Sequence, residues 1–119
     1  MRDLLTAAEY AAIAQSMSFP PNAFINGAFK PAISGNTFAT VNPANGEHLT
    51  DIAACNAEDV DYAVNKAREA FEDGRWRLLP PGERKAVLLK FAKLLENNRH
   101  ELAVLESLDS GKPVRECQL

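Results

Sequence analysis

The spacing of apolar residues divides the chain into a helical stretch, an alternating stretch and a second, longer helical stretch. Near the start, Thr6 and Glu9 stand in the S/T-x-x-E relation of a capping box, and Leu5 is placed to staple onto Tyr10. Ala7, Ala8, Ala11, Ala12 and Ala14 are strong helix formers, so the pattern predicts a short amphipathic helix. Phe19-Pro20-Pro21 stops it, because the residue before a proline avoids the α region. Phe24-Ile25-Asn26-Gly27-Ala28-Phe29 is a hairpin signal, with Asn-Gly supplying the two positive-φ positions of a type I′ turn. Ser34-Gly35-Asn36 marks a second turn. Thr37-Phe38-Ala39-Thr40-Val41 reads as a strand that Asn42-Pro43 ends. Asn45-Gly46 turns the chain again, and Glu47 to Ala54 makes a further strand. The expectation is a small antiparallel sheet.

From residue 56 the period becomes helical. Asn56 is the expected N-cap, and Glu58, Asp59 and Asp61 suit the positive end of the helix dipole. Val60, Ala63, Val64, Ala67 and Phe71 share a face. Gly74 is the expected residue just past the helix, with Arg68 near its end, and Trp76 is expected to plug the junction. Pro80-Pro81 opens the next helix, whose stripe is Val87, Leu88, Phe91, Leu94 and Leu95. Arg84, Lys85, Lys90 and Lys93 lie mostly off that stripe. Asn97-Asn98 breaks the chain, and a third helical stretch carries Leu102, Leu105 and Leu108. Gly111 caps it and Pro113 prevents continuation. The fold class expected is therefore α+β: an N-terminal helix, a small hairpin or sheet, then two to three amphipathic helices. Helices this apolar need a larger partner layer than the sheet supplies, so the chain reads as the front of a longer protein.

Composition narrows the picture. With 119 residues, 46% apolar and 24% charged, the chain has globular character and is one domain or part of one. The net charge is −3, from 13 basic and 16 acidic side chains. That balance argues against a nucleic-acid partner, which needs a basic face. No apolar run approaches the length of a membrane span. Cys55 and Cys117 are too few for a disulfide framework, and the first residues do not read as a secretory signal. A cytoplasmic protein with free thiols is expected.

Candidate chemistry is sparse. No G-x-G-x-x-G, G-x-x-x-x-G-K-[ST] or G-x-S-x-G motif is present. His48 and His100 lack partners at metal-ligand spacing and read as surface residues. Cys55 lies beside a helix N-terminus, where a thiol can become a nucleophile, but no base or oxyanion hole accompanies it. It reads better as a packed small hydrophobe. The cluster Glu58-Asp59-Asp61 reads as a helix start and not as a metal site. The run Arg84, Lys85, Lys90 and Lys93 reads as a solvated face. Asp109 is notable because it sits at a helix C-terminus, where the dipole does not favour a carboxylate. A cap interaction or a bound cation would offset that cost, though hard-cation sites take several oxygens and only one is assignable from spacing.

The ordered set of segments resembles the start of the aldehyde dehydrogenase superfamily. The residues that carry the resemblance are Phe24-Ile25-Asn26-Gly27, Thr37-Phe38-Ala39-Thr40-Val41-Asn42-Pro43 and Asn45-Gly46-Glu47. They continue with Glu58-Asp59-Val60-Asp61, Ala63-Val64, Ala67-Arg68-Glu69-Ala70-Phe71, Trp76, Arg84 and Leu94-Leu95-Glu96. The tract Leu105-Glu106-Ser107-Leu108-Asp109-Ser110-Gly111-Lys112-Pro113 completes it. The resemblance covers roughly residues 22–115. Within the superfamily, the N-terminal extension and the Arg84-Lys85-Ala86-Val87-Leu88 tract look most like bacterial γ-glutamyl-γ-aminobutyraldehyde dehydrogenases of putrescine catabolism. Betaine-aldehyde and broad-specificity relatives share much of the pattern.

The resemblance implies several things about a parent enzyme. Such enzymes oxidise an aldehyde to a carboxylic acid with NAD or NADP. A cysteine thiolate forms a thiohemiacetal, hydride leaves to the nicotinamide, and a glutamate-activated water hydrolyses the thioester. None of those catalytic or cofactor-binding parts matches a position here, so no catalytic residue and no cofactor-binding residue is assigned. On this reading residues 1–21 are a helical extension. Residues 22–119 are an incomplete part of a Rossmann-like cofactor domain. The partners are the remainder of the parent enzyme and, in the parent, further copies of it. The chain alone is expected to be inactive and to hold no cofactor tightly. The resemblance also implies a structural sodium or potassium ion, with Thr40, Val41 and Asp109 as an incomplete ligand set. A second reading is a non-catalytic interaction module that docks on a full-length homologue or on the missing remainder. A third is a small autonomous α+β domain.

Overall fold

A computed structural model describes residues 4–118. Helix α1 (Ala7–Ser16) starts at the capping box foreseen from the sequence. Glu9 N–H donates to Thr6 Oγ1 at 3.3 Å, and Thr6 N–H donates to the Glu9 carboxylate at 2.8 Å. Leu5 meets Tyr10 through its backbone, since its N–H donates to the phenol oxygen at 3.3 Å. Strands β1 (Ala23–Ile25) and β2 (Ala28–Lys30) form an antiparallel hairpin with Phe24 opposite Phe29. Asn26 and Gly27 have φ of 54° and 77°, the two positive values a type I′ turn requires. Strands β3 (Thr37–Val41) and β4 (His48–Ala53) make a second antiparallel pair. The four strands thus form two separate pairs. Pro31 follows β2 directly, and the turn closed by Gly35 N–H on Ala32 O redirects the chain before β3 begins.

Helix α2 (Ala57–Glu72) is held at its start by Asn56. The Asn56 amide oxygen accepts from Glu58 and Asp59 N–H at 3.0 and 3.2 Å, and the Asp59 carboxylate accepts from Asn56 N–H at 2.9 Å. Asp73 caps the other end and Gly74 follows with φ of 79°. Helix α3 (Pro81–Asn97) begins on a proline, where the missing N–H costs nothing. Asn98 separates it from α4 (Arg99–Ser110). Gly111 ends α4 in the left-handed conformation, and a short 3-10 turn spans Val114–Glu116.

The chain divides into two compact units. The first comprises residues 1–19, 40–49 and 91–119. Within it α1 and the 3-10 turn pack on α4. Its buried apolar residues are Ala103, Val104 and Cys117. The buried residues of α4 are Ala103 and Val104, whereas of the leucines that mark this helix in the sequence Leu108 is half-buried and Leu102 and Leu105 stay partly exposed. The second unit comprises residues 20–39 and 50–90. Here the hairpin and the loop after it rest on α2, and Ala32 is buried.

The side of α2 that meets the hairpin shares Ala63 and Ala67 with the foreseen face but leaves Val60, Val64 and Phe71 outside it. Half-buried Tyr62, Ala63, Lys66 and Ala70 share a side with buried Asp59. Lys30 Nζ lies 5.5 Å from the Tyr62 ring centre, a cation–π contact. The stripe of Val60, Val64 and Phe71 lies roughly 100° round the helix axis. It is 55%, 57% and 59% exposed. On α3, Val87, Leu88, Phe91 and Leu94 are exposed too, and that helix buries no residue fully. Trp76 is 43% exposed, so it does not plug the helix junction. Leu78 takes the place beside Gly74, which has no room for a Cβ against it.

Candidate functional site

Thr40, Val41 and Asp109 all belong to the first unit. Strand β3 presents Thr40 half-buried and Val41 exposed at its end. The turn after β3 is built by Asn42, which is buried. Its N–H donates to Glu47 O at 2.8 Å, its side-chain oxygen accepts from Ala44 N–H at 2.9 Å, and its carbonyl accepts from Gly46 N–H at 2.7 Å. With Asn45 N–H also donating to the Asn42 carbonyl at 3.3 Å, four bonds to one buried asparagine fix the exit of β3, and with it the position of Thr40 and Val41. The Asn-Pro pair signalled a strand end in the sequence, but nothing there showed that Asn42 itself would hold the turn.

Asp109 comes from the last turn of α4. The tract that follows it is tightly organised. Ser107 Oγ donates to Lys112 O at 2.7 Å, Ser110 Oγ donates to Glu106 O at 2.6 Å, and Lys112 Nζ pairs with Glu106 at 3.0 Å. The Glu106 carboxylate holds the Lys112 ammonium above its ordinary value. Gly111 lies against Pro43, so close that a Cβ on it would sit 3.1 Å from Pro43 Cγ. The T-V-N-P tract and the D-S-G-K-P tract, separate in sequence, thus meet in space. Thr40 Oγ1 and Asp109 Oδ1 stand 3.5 Å apart. That is long for a hydroxyl donating to a carboxylate, which usually lies at about 2.5–2.7 Å. The carboxylate at the negative end of α4 therefore gains little from Thr40 and retains free lone pairs. These are hard oxygen donors of the kind alkali cations take. No group of three or more His, Cys, Asp or Glu suited to a metal occurs among the described residues.

The other candidates are resolved by their surroundings. Asp59 is only 4% exposed and is bonded to Ile33 N–H at 2.8 Å as well as to Asn56 N–H. It is structural, while Glu58 and Asp61 are exposed. Cys55 is exposed, not packed, because it falls in the short link between β4 and the Asn56 cap. Cys117 is buried, and burial pushes its thiol above the ordinary value. His48 is exposed as expected. His100 is not a surface residue. It is half-buried against Tyr10, with ring centres 5.9 Å apart, and Gln118 Nε2 lies 3.2 Å from its Nδ1. No helix among the described residues is long and apolar enough to cross a membrane.

Four helices, two small antiparallel sheets and the junction of the T-V-N-P and D-S-G-K-P tracts place the chain in the α+β class. Residues 29–119 match the aldehyde dehydrogenase family, and the chain belongs to that family. It corresponds to the N-terminal part of family members. It is 61% identical to an aminoacetaldehyde dehydrogenase of Pseudomonas aeruginosa over 118 residues, covering 99% of this chain and 24% of the relative. Its fold is similar to that of γ-glutamyl-γ-aminobutyraldehyde dehydrogenase from Burkholderia cenocepacia J2315. The TM-score is 0.91 at 43% identity, over 95% of this chain and 23% of the other. It is equally similar to the P. syringae indole-3-acetaldehyde dehydrogenase AldA in complex with NAD+ and IAA. There the TM-score is 0.91 at 44% identity, over 96% of this chain and 23% of the other. The chain therefore spans about a quarter of the length of these relatives.

Proposed function

We propose that this chain is the N-terminal portion of an enzyme that oxidises an aldehyde to a carboxylic acid with NAD or NADP. The observation that carries the reading is the uncovered apolar stripe of α2 in a chain whose family members are about four times longer. A stripe of valines and a phenylalanine left more than half exposed, with only Arg77 over the Phe71 ring, is the inner face of a further layer. The nucleophilic cysteine, the base and the nicotinamide contacts belong to that further part, and the 119-residue chain alone is inactive. Residues 1–21 serve as the helical extension and residues 22–119 as part of the cofactor domain.

The substrate class is a short aldehyde that carries an amino-derived group. The similarity to an aminoacetaldehyde dehydrogenase and to a γ-glutamyl-γ-aminobutyraldehyde dehydrogenase supports this, with putrescine breakdown as one source of such aldehydes. The parent works in the cytoplasm as a homo-oligomer, without nucleic acid or membrane. Thr40, Val41 and Asp109 would supply part of the oxygen shell of a sodium or potassium ion. When bound, that ion would neutralise the Asp109 carboxylate and tie β3 to the end of α4. The proximity of Thr40 and Asp109 and the packing of Pro43 on Gly111 support this assignment.

The test is NAD(P)+ reduction, followed by absorbance, with a panel of amino-aldehydes and simple alkyl aldehydes. The protein purified from its source cells should turn over amino-aldehydes faster than alkyl aldehydes, and the 119-residue chain should show no turnover. Activity that tracked the purified 119-residue chain would overturn the reading.

A further inference from the structure

Two Asn-Gly pairs occur in the sequence, Asn26-Gly27 and Asn45-Gly46, and both stand at turns. A glycine after an asparagine leaves its main-chain nitrogen open to the asparagine amide carbon, because no Cβ shields it. The surroundings of the two pairs are opposite. Asn45 is held at both ends of its amide. Its Nδ2 donates to Glu47 Oε2 at 2.9 Å, and its Oδ1 accepts from Glu47 N–H at 3.0 Å. Gly46 N–H, the group that would attack, donates to Asn42 O at 2.7 Å. Asn26 is exposed, and neither its side-chain amide nor Gly27 N–H has a hydrogen-bond partner among the described residues. A Cβ on Gly27 would meet nothing within 4 Å.

Attack of the glycine nitrogen on the side-chain amide also requires the tight turn to relax. Strands β1 and β2 have three residues each and pair only with one another. A two-stranded hairpin of that size opens at small cost. The turn at Asn45 is tied to buried Asn42, so its relaxation breaks bonds at the exit of β3 as well.

We propose that Asn26 is a spontaneous covalent modification site, converting to aspartyl and isoaspartyl residues, and that Asn45 is protected by its hydrogen bonds. The Gly27 nitrogen gives its proton to water and bonds to Asn26 Cγ. The Cγ–Nδ2 bond breaks, ammonia leaves, and a five-membered imide closes. Water then opens the imide at one of its two carbonyls. Cleavage at Cγ gives an aspartyl residue, and cleavage at the main-chain carbonyl gives an isoaspartyl residue. No oxidant or reductant takes part. The carboxylate formed shares a cavity with Lys66 and Arg75, so its new charge is not opposed there. An isoaspartyl residue adds a main-chain carbon to the two-residue loop. A type I′ turn cannot hold it, and the pairing of Phe24 with Phe29 is lost.

The experiment incubates the purified protein at mildly alkaline pH and follows both asparagines by peptide mapping and mass spectrometry. Conversion adds about one dalton at the residue concerned, since ammonia is lost and water gained. A parallel incubation in denaturant gives each site its own unprotected rate. Asn26 in the native protein should convert within about threefold of its rate in denaturant, and Asn45 at least about tenfold below its own. Glu47→Ala removes the partner of Asn45 Nδ2 and should accelerate Asn45 several-fold while leaving Asn26 unchanged. The isoaspartyl fraction should lose the NOE between the Phe24 and Phe29 rings, whose centres lie 5.1 Å apart. An Asn26 that the native fold slows as strongly as Asn45 overturns the proposal. So does an Asn45 that converts as fast as Asn26, or one that Glu47→Ala leaves as slow as before. An isoaspartyl fraction that keeps the ring NOE overturns the predicted loss of strand pairing.

Discussion

Single side chains set most of the local geometry, and several of them were readable in advance because their roles depend on neighbours a few positions away. Asn56 and Asp59 cap α2 as their spacing foretold, and Asn26-Gly27 turns the hairpin. Asp59 also does something that spacing could not show, because its partner Ile33 is remote in sequence. Asp59→Ala should strand the N–H groups of Ile33 and Asn56 and cost about 1–3 kcal/mol, read by chemical denaturation. Glu9 is held below the ordinary carboxylate range by the Thr6 hydroxyl and then by the Thr6 N–H. The sign follows directly. Its support of α1 is present above the unfolded-state value and is lost as pH falls through the lowered folded value. Helix content of α1, followed by the Cα chemical shifts of its first turn, should therefore fall on acidification through the carboxylate range, and Glu9→Gln should remove most of that dependence. An unchanged acid response in the variant would contradict the assignment. The thiols differ in the same way. Burial raises Cys117 and leaves Cys55 accessible, so alkylation at mildly alkaline pH should modify Cys55 several-fold faster. Cys55, Trp76 and His100 were misplaced by sequence reasoning because burial depends on which remote surfaces arrive, and no local pattern encodes that.

At the scale of elements, helices and strands fall where periodicity and capping put them, but their facing does not. The sequence groups Val60, Ala63, Val64, Ala67 and Phe71 on one face of α2 and implies that so apolar a helix needs a larger partner layer than the small sheet. The structure turns Tyr62, Ala63, Lys66 and Ala70 to the hairpin and leaves Val60, Val64 and Phe71 exposed. The reason is physical. A two-stranded hairpin is too narrow to cover more than one side of a helix, and here it takes the side of Tyr62, whose ring Lys30 covers. Val64→Glu should accordingly leave the thermal unfolding of the 119-residue chain within about 0.5 kcal/mol, the usual range for surface substitutions. A large destabilisation would show that the stripe is already covered. The junction of the two tracts is equally specific. Gly111 combines a φ of 73° with a close approach to Pro43, so Gly111→Ala should cost roughly 1–2 kcal/mol and loosen the Thr40–Asp109 approach. The individual tracts were visible in the sequence, but their meeting depends on α4 returning to the end of β3.

For the molecule as a whole, the small core decides the interpretation. Among the described residues the buried apolar set is Ala32, Ala103, Val104 and Cys117, and no large side chain is fully buried. A core of three small residues and one valine supplies little hydrophobic stabilisation. The family membership explains why such a sequence exists, since relatives place this segment in a chain about four times longer. The most direct measurement combines the 119-residue chain with the remaining three quarters of the Pseudomonas aeruginosa relative, produced separately, and follows aldehyde-dependent NAD(P)+ reduction. The account predicts that neither piece turns over alone, that the pair does, and that Val64→Glu or Phe91→Glu in this chain abolishes the restored activity. If the two pieces fail to associate, or if Val64→Glu and Phe91→Glu restore activity as well as the unaltered chain, the uncovered stripes are not the inner faces of a dehydrogenase.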